Sequence, residues 1–473
     1  MKSSLTQLQS WVPNSSIVAA AGAAPVAVTG LTTDSRAVVP GNLFVALRGE
    51  RFDAHDFLPQ VAAQGAAAVV VERVPANLPV PALVVPDTRL ALGAIGHRWR
   101  AQFKLPLIAV TGSNGKTTVK EMIAAILAAA FGDEQFLATR GNLNNEIGVP
   151  LTLLRLEASH QAAVVELGMN HPGEIAVLTA LAEPTVALVN NAQREHQEFM
   201  ATVEAVAKEN GDVIRGMPAS GIAVFPADDP YTALWRDYAA DKGGSITFGL
   251  SADADVSCTY SQAANGFGSD LAVTVALANP VQKFDIQLSA AGEHNVRNAL
   301  AAIACALAIG IEVAAIKRGL EAFAPVSGRL QRKLAQRAAC AGALVIDDTY
   351  NANPDSVRAA IDVLAQAPAD QPRLLVLGDM GEVGNEGRKF HQEIGAYAQQ
   401  RGIAQLFTLG KLAADASAAF GPQAKHFVDL AALLAAVDAY MTPHATVLVK
   451  GSRFMKMERV VQHLLVATSE GSH

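Results

Sequence analysis

A short loop of small residues joins an apolar run to a lysine and two threonines. LPLIAVT (105–111) has the pattern of a buried strand, GSNG (112–115) follows, and TTVKEMIAAILAAAF (117–131) has the apolar spacing of a helix. Backbone N–H groups at a helix N-terminus, together with the helix dipole, attract anions. Lys116 is placed to reach the β- and γ-phosphates of a nucleotide, and Thr117 to hold Mg²⁺. Residues 112–115, called the phosphate loop below, therefore predict nucleotide binding.

The phosphate loop departs from the usual pattern at one position. G-x-x-x-x-G-K-[ST] requires glycine at position 110, where this chain has Val110. An ordinary strand–helix turn is the alternative interpretation. Because the flanking strand and helix stand in the required order, nucleotide binding remains the prediction.

Mg²⁺ needs hard oxygen ligands, usually one or two carboxylates beside the phosphates. Glu166 ends the strand pattern AAVVELG, Asp347 and Asp348 end LVIDD, and His196 follows TVALVNN. The carboxyl ends of parallel strands meet at one crevice, so any of these groups could serve. Glu166 and His196 share a unit with the phosphate loop, whereas Asp347 does not. Lys208, in AVAKEN, has the spacing of a solvated lysine on a helix.

Strand and helix patterns alternate along the chain and predict an α/β protein of three domains. The first (1–86) ends in a proline-rich stretch. The second (87–325) has the pattern of a parallel sheet like that of P-loop ATPases, with a polar β-rich stretch at 245–290. The third (326–473) follows the hinge candidate APVSGR and is Rossmann-like in size.

Composition and charge exclude several classes of partner. Of 473 residues, 51% are hydrophobic, and the net charge is 37 − 44 = −7 without a lysine- or arginine-rich block, which disfavours nucleic acid. The N-terminus lacks the apolar region of a signal peptide, and no apolar run approaches the roughly 20 residues of a membrane span. Three scattered cysteines fit buried, reduced thiols. We expect a cytoplasmic protein without stable membrane association.

Longer motifs spread over almost the whole chain resemble the Mur ligase family. They are TTDSRAVVPGNLFVALRGERFDAHDF (32–57), TGSNGKTTVKEM (111–122), TRGNLNNEIGVP (139–150), ELGMNHPGEI (166–175), GEHNVRNALAA (292–302), SGRLQ (327–331), DDTYNANPDS (347–356), LGDMGEVG (377–384) and KGSRFMKME (450–458). YNANPDS and GDMGEVG resemble the branch of the family that adds D-alanyl-D-alanine to a UDP-N-acetylmuramoyl-tripeptide. The DNPR signature of the enzyme that adds the third amino acid is absent.

The resemblance implies a bacterial cytoplasmic ligase of peptidoglycan synthesis that uses ATP and Mg²⁺ and acts as a monomer. It would phosphorylate the tripeptide carboxylate and let the amine of D-alanyl-D-alanine attack the acyl phosphate. The products would be UDP-N-acetylmuramoyl-pentapeptide, ADP and phosphate. Three domains are implied: a UDP-binding one, the ATP-binding one, and a C-terminal one that contacts ATP and D-alanyl-D-alanine.

The same resemblance implies roles for residues at the nucleotide. The ATP contacts would be Thr111, Gly112, Ser113, Asn114, Gly115, Lys116, Thr117, Thr118, Asn295, Arg329, Asp347 and Tyr350. The Mg²⁺ ligands would be Thr117, Glu166, His196 and Lys208 as a carbamate, and the catalytic residues Lys116, Lys208, Glu166 and His196. A carbamate turns a cation into an anion, which reverses the interpretation of Lys208 from spacing. Gln193, Arg194 and Glu195 replace the small residues of the family's NxGxAHLxxF pattern.

Substrate contacts are also implied. Uracil and diphosphate would lie near Thr33, Asp34, Ser35 and Arg36. The sugar and peptide would contact Asn142, Asn144 and Asn145, and D-alanyl-D-alanine would contact Asn351 and Asn353. Because the third unit carries part of the site, we expect it to swing, and to lie displaced from the phosphate loop in an unliganded chain.

Three other functions remain open. A folylpolyglutamate synthase-like ligase would share the ATPase unit, although the TTDSR unit argues against it. A mechanical or regulatory P-loop NTPase would use LVIDD as its Walker-B strand, which lies over 200 residues from the phosphate loop. A nucleotide-storing scaffold would bind without turnover.

Overall fold

The fold was analysed in a computed structural model that describes residues 1–19, 26–49, 52–195, 198–264, 266–277, 279–368 and 370–467. Within these residues, three larger sheets follow one another along the chain, and helices cover both faces of each. Their central strands are runs of buried Val, Ile, Leu and Ala, as parallel sheets covered on both faces require. The predicted α/β class is confirmed.

The first sheet is built from short strands. In chain order the elements are β1 (Ser3–Ser4), α1 (Leu5–Trp11), β2 (Ser16–Val18), β3 (Ala27–Val28), β4 (Gly30–Thr32), β5 (Asn42–Val45), α2 (Leu58–Ala63), β6 (Ala68–Val71), β7 (Ala82–Val84) and α3 (Thr88–Arg100). The strand order is β2-β7-β6-β5-β4, parallel except for β2, and β1 pairs with β3. Helices α1 and α3 pack on one face and α2 on the other.

Helix α3 is shared between the first and second sheets. Leu92 and Ile95 lie in the core of the first sheet beside Leu43. At the other end of the helix, Trp99 Nε1 donates to Leu156 O at 3.1 Å and Arg100 Nε donates to the carbonyl oxygen of residue 182 at 3.1 Å. A division of the chain at residue 86 therefore cuts between the first sheet and a helix that packs on it, and this division stays a proposal.

The second sheet has nine strands. Its elements are β8 (Leu107–Thr111), α4 (Lys116–Phe131), β9 (Phe136–Ala138), α5 (Gly148–Leu153), β10 (Ala162–Glu166), α6 (Glu174–Ala182), β11 (Val186–Val189), α7 (Val203–Gly216), β12 (Ile222–Pro226), α8 (Thr232–Tyr238), β13 (Gly244–Gly249), β14 (Val256–Gln262), β15 (Ser269–Val275), β16 (Gln282–Leu288), α9 (Glu293–Ala308) and α10 (Val313–Ala322). The order is β16-β15-β14-β13-β12-β11-β8-β10-β9. Strands β8 to β14 are parallel, and β14, β15 and β16 pair antiparallel with one another at the edge, in the polar β-rich stretch.

The third sheet has six strands. Its elements are β17 (Gln331–Leu334), β18 (Leu344–Asp348), α11 (Pro354–Ala365), β19 (Arg373–Gly378), α12 (Gly387–Gln400), β20 (Gln405–Leu409), α13 (Ala413–Phe420), β21 (Ala424–Phe427), α14 (Leu430–Tyr440), β22 (Thr446–Lys450) and α15 (Glu458–Leu465). The order is β17-β18-β22-β19-β20-β21, parallel except for β17. Short 3₁₀ helices lie at Ala54–Phe57, Ala338–Cys340, Gly384–Glu386 and Arg453–Met455.

Candidate active site

A cleft of about 950 Å³ lies between the second and third sheets. Its walls come from the segments that follow β8, β10, β11 and β12 on one side and β18, β19 and β22 on the other. The carboxyl-terminal edge of an open α/β sheet is where such proteins bind ligands. Here the carboxyl-terminal edges of two parallel sheets face one cavity, so groups from both can reach one bound molecule.

The phosphate loop needs glycine at two positions. Gly112 and Gly115 have φ of 129° and 84°, a region that L side chains rarely adopt. A Cβ on Gly112 would lie 2.9 Å from Asn190 Cβ, and one on Gly115 would lie 2.4 Å from Asn298 Oδ1. The close approach and the backbone conformation both require glycine, which keeps the loop open toward the cleft.

Side-chain amides hold the backbone of the phosphate loop. Asn190 Nδ2 and Asn191 Nδ2 donate to Asn114 O at 2.8 and 2.9 Å, and Asn114 N donates to Asn191 Oδ1 at 2.9 Å. Gly112 N donates to Asn210 Oδ1, on α7, at 2.9 Å. The loop is therefore braced by residues that follow β11 and by one helix of the same sheet.

Lys116, the first residue of α4, is bonded to the start of the phosphate loop and to the segment after β11. Its Nζ donates to Gly112 O at 2.5 Å, to Ser113 O at 3.3 Å and to Glu195 Oε1 at 2.6 Å. The Glu195 side chain is only 8% exposed. The ammonium thus lies over the loop, where it would meet nucleotide phosphates, and a carboxylate lies against it.

Thr117 and Glu166 form an oxygen cluster beside the loop. Thr117 Oγ1 donates to Glu166 Oε2 at 2.9 Å, and Asn144 Nδ2 donates to Glu166 Oε1 at 2.8 Å. Glu166 is buried at the end of β10, and its backbone N–H donates to Thr139 Oγ1 at 3.0 Å. A hydroxyl and a carboxylate next to a phosphate loop are the oxygen donors that suit Mg²⁺.

Of the other residues predicted to contact ATP near the phosphate loop, some face the cleft and one is buried in the sheet. Ser113 and Thr118 line the cleft, and Ser113 Oγ donates to Gln193 O at 3.2 Å. Thr111 is fully buried, and its hydroxyl donates to Leu188 O at 2.9 Å. The Thr111 side chain is therefore placed to fix β8 against β11 and not to contact a ligand.

The third unit touches the phosphate loop directly. Asn353 Nδ2 donates to Asn114 Oδ1 at 2.8 Å. Arg194 NH2 donates to Asp355 Oδ1 at 2.6 Å and its NH1 to Glu393 Oε2 at 2.7 Å, and these hydrogen bonds raise the pKa of the guanidinium. The third unit therefore contacts the phosphate loop in this structure, whereas the sequence led us to expect it displaced. One guanidinium shared by two carboxylates of that unit accounts for the difference.

Two arginines surround Tyr350 at the hinge side of the cleft. The Arg329 guanidinium carbon lies 4.1 Å from the Tyr350 ring centroid and that of Arg453 lies 5.7 Å away. All three residues line the cleft. Two cations stacked near one ring give this wall a positive potential suited to an anionic ligand.

Asp347 does not face the cleft, which corrects its predicted contact with ATP. Its carboxylate is bonded to Lys333 Nζ and Thr349 Oγ1, both at 2.6 Å. Asp348 lines the cleft instead and accepts a hydrogen bond from Lys450 Nζ at 2.6 Å. Successive side chains of a strand point to opposite faces, so only one of the two aspartates can face the ligand.

Lys208, predicted to hold a metal ion as a carbamate, has its unmodified side chain outside the cleft, and that role stays a prediction. Its side chain is 55% exposed, and its Nζ lies 2.7 Å from Glu204 Oε1 one turn earlier on α7. Asn210, two residues later on the opposite side of the helix, is the residue that faces the phosphate loop. The other predicted ligand, His196, lies outside the described residues.

Asn295 is held by its own helix. Its Nδ2 donates to the carbonyl oxygen of residue 291 at 2.8 Å, and its Oδ1 accepts from Asn298 Nδ2 at 3.2 Å. Asn295 and the neighbouring His294 line the cleft. Burial lowers the pKa of His294 to about 4, so this imidazole is neutral at pH 7.

The residues predicted to contact the sugar, the peptide and D-alanyl-D-alanine lie at the cleft, and some of them already make hydrogen bonds within the protein. Asn142, Asn144, Asn145 and Asn351 all line it. Asn145 Oδ1 accepts from the N–H of Gly148, the first residue of α5, at 2.9 Å, while Asn351 O accepts from Lys450 Nζ at 2.9 Å.

Thr33, Asp34, Ser35 and Arg36 follow β4 in the first sheet and do not line the cleft. Arg36 NH2 lies 2.8 Å from Asp34 Oδ2, and this hydrogen-bonded pair lowers the pKa of Asp34 to about 2. Both side chains reach solvent, so the segment offers a separate charged surface.

Several residues of the cleft were not predicted as site residues from the sequence. They are Asn190, Asn191, Glu195, Asn298, Asp355, Lys450 and Arg453. Most follow the buried strand patterns TVALVNN, LVIDD and ATVLVKG. The rule that strand carboxyl ends share a crevice could have found them, because it applies to every parallel strand and not only to the one before the phosphate loop.

Three family descriptions match the chain in order. They are "Mur ligase family, catalytic domain" at 27–100, "Mur ligase middle domain" at 110–306 and "Mur ligase, glutamate ligase domain" at 328–453. A relative from Escherichia coli (strain K12), named UDP-N-acetylmuramoyl-tripeptide--D-alanyl-D-alanine ligase, is 41% identical over 444 residues, which cover 93% of this chain and 94% of that protein. The enzyme of the same name from Haemophilus influenzae is 40% identical over 446 residues, covering 93% and 94%.

Solved structures of similar fold also match the chain over nearly its full length. MurF from Acinetobacter baumannii matches with a TM-score of 0.88 and 35% identity, covering 98% of this chain and 99% of that one. A MurF ligase from Thermotoga maritima, solved in complex with ADP, matches with a TM-score of 0.80 and 25% identity, covering 92% and 97%.

Proposed function

The chain belongs to the Mur ligase family, and we propose that it is the ATP-dependent ligase that adds D-alanyl-D-alanine to UDP-N-acetylmuramoyl-tripeptide. The product would be UDP-N-acetylmuramoyl-pentapeptide, used in peptidoglycan synthesis. Relatives of this name cover nearly the full length of the chain, and all three sheets have a counterpart in MurF structures.

The reaction has two balanced steps. The terminal carboxylate of the tripeptide attacks the γ-phosphorus of ATP, the bond to the β–γ bridging oxygen breaks, and ADP leaves. The amine of D-alanyl-D-alanine then attacks the acyl carbon, the amide bond forms, and phosphate and a proton leave. A free carboxylate is a poor acceptor for an amine, so phosphorylation supplies the leaving group. The protein's task is to position three substrates and to offset negative charge.

The residues of the second sheet suit the phosphoryl transfer. Lys116 lies over the phosphate loop, where its ammonium would offset charge that develops on the γ-phosphoryl group. Helix α4 begins at the cleft, so the positive end of its dipole would face a bound phosphate, while Gly112 N and Asn114 N are bonded to Asn210 and Asn191. Arg329 and Arg453 bring positive charge from the opposite wall.

Thr117 and Glu166 fit a magnesium ion, because a hydroxyl and a carboxylate oxygen stand together next to the loop. In the described part of the chain, no three His, Cys, Asp or Glu side chains form a ready metal site. Mg²⁺ in nucleotide sites usually keeps waters and shares phosphate oxygens, so few protein ligands suffice. When bound, the ion would offset phosphate charge. The resemblance adds His196 to this set.

The remaining substrates fit along the cleft. The tripeptide end would lie near Asn142 and Asn144, and D-alanyl-D-alanine near Asn351 and Asn353. The UDP end would reach the segment from Thr33 to Arg36 in the first sheet. Closure of the third unit over the loop keeps water from the acyl phosphate, which would otherwise hydrolyse.

The contact of Asn353 with Asn114 carries this proposal, because it brings the third unit to the phosphate loop. The test is phosphate release measured with ATP and each substrate alone and together. A ligase of this kind releases phosphate only when the UDP-tripeptide and D-alanyl-D-alanine are both present. Release with ATP alone would favour a mechanical or regulatory NTPase, release with a folate would favour the folylpolyglutamate branch, and binding without release a nucleotide-storing scaffold.

The setting of the reaction is part of the same proposal. Among the helices in the described ranges, none is long and apolar enough to cross a membrane. We place the enzyme in the bacterial cytoplasm as a monomer without a nucleic-acid partner, where ATP and the soluble UDP-linked precursor are available.

A further inference from the structure

One lysine of helix α4 is fully buried and does not line the cleft. The Lys120 side chain has 0% of its surface exposed. Its Nζ pairs with the Glu121 carboxylate and donates to Thr139 O at 2.9 Å. A lysine is almost never fully buried without such partners, and an apolar side chain of similar length would fill the space without the cost of burying a charge. Packing alone therefore does not account for an ammonium at this position.

Thr139, the partner of this lysine, is bonded through its N–H, its hydroxyl and its carbonyl oxygen. It follows β9 directly and is 2% exposed. Its N–H donates to Val164 O at 3.1 Å, and its hydroxyl accepts from Glu166 N at 3.0 Å. Its carbonyl oxygen accepts from Lys120. Thr139 therefore joins the end of β10 to helix α4 through the buried lysine.

Two links thus connect α4 to the end of β10. The direct link is the hydrogen bond from Thr117 to Glu166, the two oxygen donors that fit a magnesium ion. The second link runs from Lys120 through Thr139 to the backbone of Glu166. Thr117 and Lys120 are three residues apart, so they are neighbours on one face of the helix. The two links together fix the spacing between the helix face and the strand end that carry the oxygen donors.

We propose that Lys120 is a positioning residue of the ligation reaction, which holds Glu166 at the spacing from Thr117 that the magnesium ion requires. The inference rests on the proposed function. Mg²⁺ demands nearly ideal octahedral geometry, with ligands at about 2.0–2.1 Å, so small shifts of a ligand weaken its binding. Lys120 does not touch the ion. It acts on the backbone of the residue that holds it.

The test measures how much magnesium strengthens nucleotide binding to the full-length chain. Calorimetry gives the affinity for AMP-PNP, a non-hydrolysable ATP analogue, in Mg²⁺ and again in EDTA, and the ratio of the two affinities isolates the contribution of the ion. Lys120→Met should lower this ratio about 10-fold to 100-fold, the usual effect of removing a group that orients a metal ligand. Its affinity in EDTA should stay close to that of the parent chain, because the phosphate loop is unchanged.

Lys242→Met is the matched control, because Lys242 is a buried lysine with the same kinds of partner outside the cleft. Its side chain is 8% exposed and pairs with the preceding Asp241 at 3.3 Å. Its Nζ donates to the carbonyl oxygens of residues 215 and 217 at 3.2 and 3.4 Å. Both substitutions should lower the melting temperature, since each removes an ammonium that holds backbone carbonyls. Only Lys120→Met should lower the ratio of affinities.

Thr139→Val breaks the same link without removing a buried charge. The variant loses the hydroxyl that accepts from Glu166 N, while the backbone carbonyl remains for Lys120. It should also lower the ratio of affinities. The double variant should lose little more than either single variant, because both substitutions interrupt one chain of contacts. If Lys120→Met does not fold, the result for Thr139→Val decides.

The outcomes distinguish this inference from the proposed function. If the parent chain binds no nucleotide, the proposed function fails. If the parent chain binds AMP-PNP equally well in Mg²⁺ and in EDTA, or if folded Lys120→Met and Thr139→Val keep its ratio of affinities, the positioning role is overturned. Equal weakening in both conditions would show that Lys120 supports only the fold, which also overturns the inference.

Discussion

Two loops meet at the nucleotide end of the cleft, and they are held in different ways. The phosphate loop after β8 depends on its own backbone, since two glycines with positive φ give its shape. The loop after β11, residues 190–195, acts through side chains that reach outward. Asn191 holds the phosphate loop, Glu195 pairs with Lys116, and Arg194 bridges to the third unit.

This difference separates the binding of the nucleotide from the contact between the second sheet and the third unit. The phosphate loop can form within the second sheet, because its bracing partners Asn190, Asn191 and Asn210 all belong to that sheet and its helices. The contact of the third unit depends on the second loop, through two carboxylates that it offers to Arg194. Variants in one loop should therefore affect nucleotide chemistry, and variants in the other the arrangement of the third unit.

Lys116→Ala should have the largest effect. Removal of the ammonium leaves charge on the γ-phosphoryl group without its partner, which costs on the order of 10²-fold or more in rate. The fold should persist, because the side chain lies at the cleft surface and leaves no core cavity. Phosphate release with all three substrates measures the rate, and a melting curve checks the fold. A folded variant with near-normal turnover would show that the loop does not bind phosphate.

Gly115→Ala tests whether the shape of the phosphate loop matters beyond its backbone strain. The new Cβ would lie 2.4 Å from Asn298 Oδ1, and φ is 84°. Gly173→Ala is the control, because that residue is also left-handed at the start of a helix, with φ of 93°, but no atom lies within 4 Å of its Cβ. Both variants carry a cost of roughly 1–2 kcal/mol for the left-handed backbone. Only Gly115→Ala should weaken ADP binding, by about tenfold in calorimetry; equal ADP affinity in the two variants would contradict the prediction.

Arg194→Ala should separate the third unit without harming the phosphate loop. The variant loses the bonds to Asp355 and Glu393, so the radius of gyration in small-angle scattering should rise while ADP affinity stays close to that of the parent. Turnover should fall about tenfold or more, because the reacting groups are less well placed.

Arg215→Ala is the matched control for that variant, because Arg215 pairs with Asp212 on its own helix. It should change neither the scattering nor the turnover. An unchanged radius of gyration in Arg194→Ala would show that other contacts, such as Asn353 with Asn114, hold the third unit.

Acidification should weaken the contact between the second loop and the third unit. The hydrogen bond from Arg194 lowers the pKa of Glu393 below its ordinary value of 4.5, and Arg358 adds to this effect. Because the pKa of Glu393 is lowered, its charge stabilises the contact fully above pH 4.5. This stabilisation is lost as the pH falls through the pKa that Glu393 has in the folded protein. Scattering between pH 7 and pH 3 should show expansion only at the acid end. Glu393→Gln should remove part of this dependence, since Asp355 remains.

The two loops also differ in how well the sequence predicts them. The phosphate loop is a local pattern, and its glycines and the helix after it determine where Lys116 and Thr117 lie. Parallel sheets, likewise, follow from apolar runs between helices. Gln193, Arg194 and Glu195 could be recognised in the sequence only as departures from a family pattern. Their partners are distant in the chain, so nothing local indicates what they contact.

In two segments the sequence left open which residue faces the cleft. Asp347 and Asp348 differ by one residue on a strand, and Lys208 and Asn210 by two on a helix. One position on a strand reverses the direction of a side chain, and two positions on a helix turn it by about 200°. A motif match placed both segments near the site but did not determine which residue of each segment faces it.

On the geometry of the structure Lys208→Ala should have the smallest effect, whereas the family resemblance implies a nearly inactive variant. A carbamate holding Mg²⁺ would make this substitution nearly inactivating and open to rescue by short carboxylates. The structure instead has a side chain 55% exposed and paired with Glu204, so only a surface ion pair is lost. We expect kcat and KM within about twofold of the parent chain, as for other surface changes. Mass spectrometry of the active protein should find no added carbon dioxide on Lys208. Strong inactivation with rescue by acetate would mean that Lys208 holds the metal ion as a carbamate, and the contrast between the two loops would then have to include α7 as a third element.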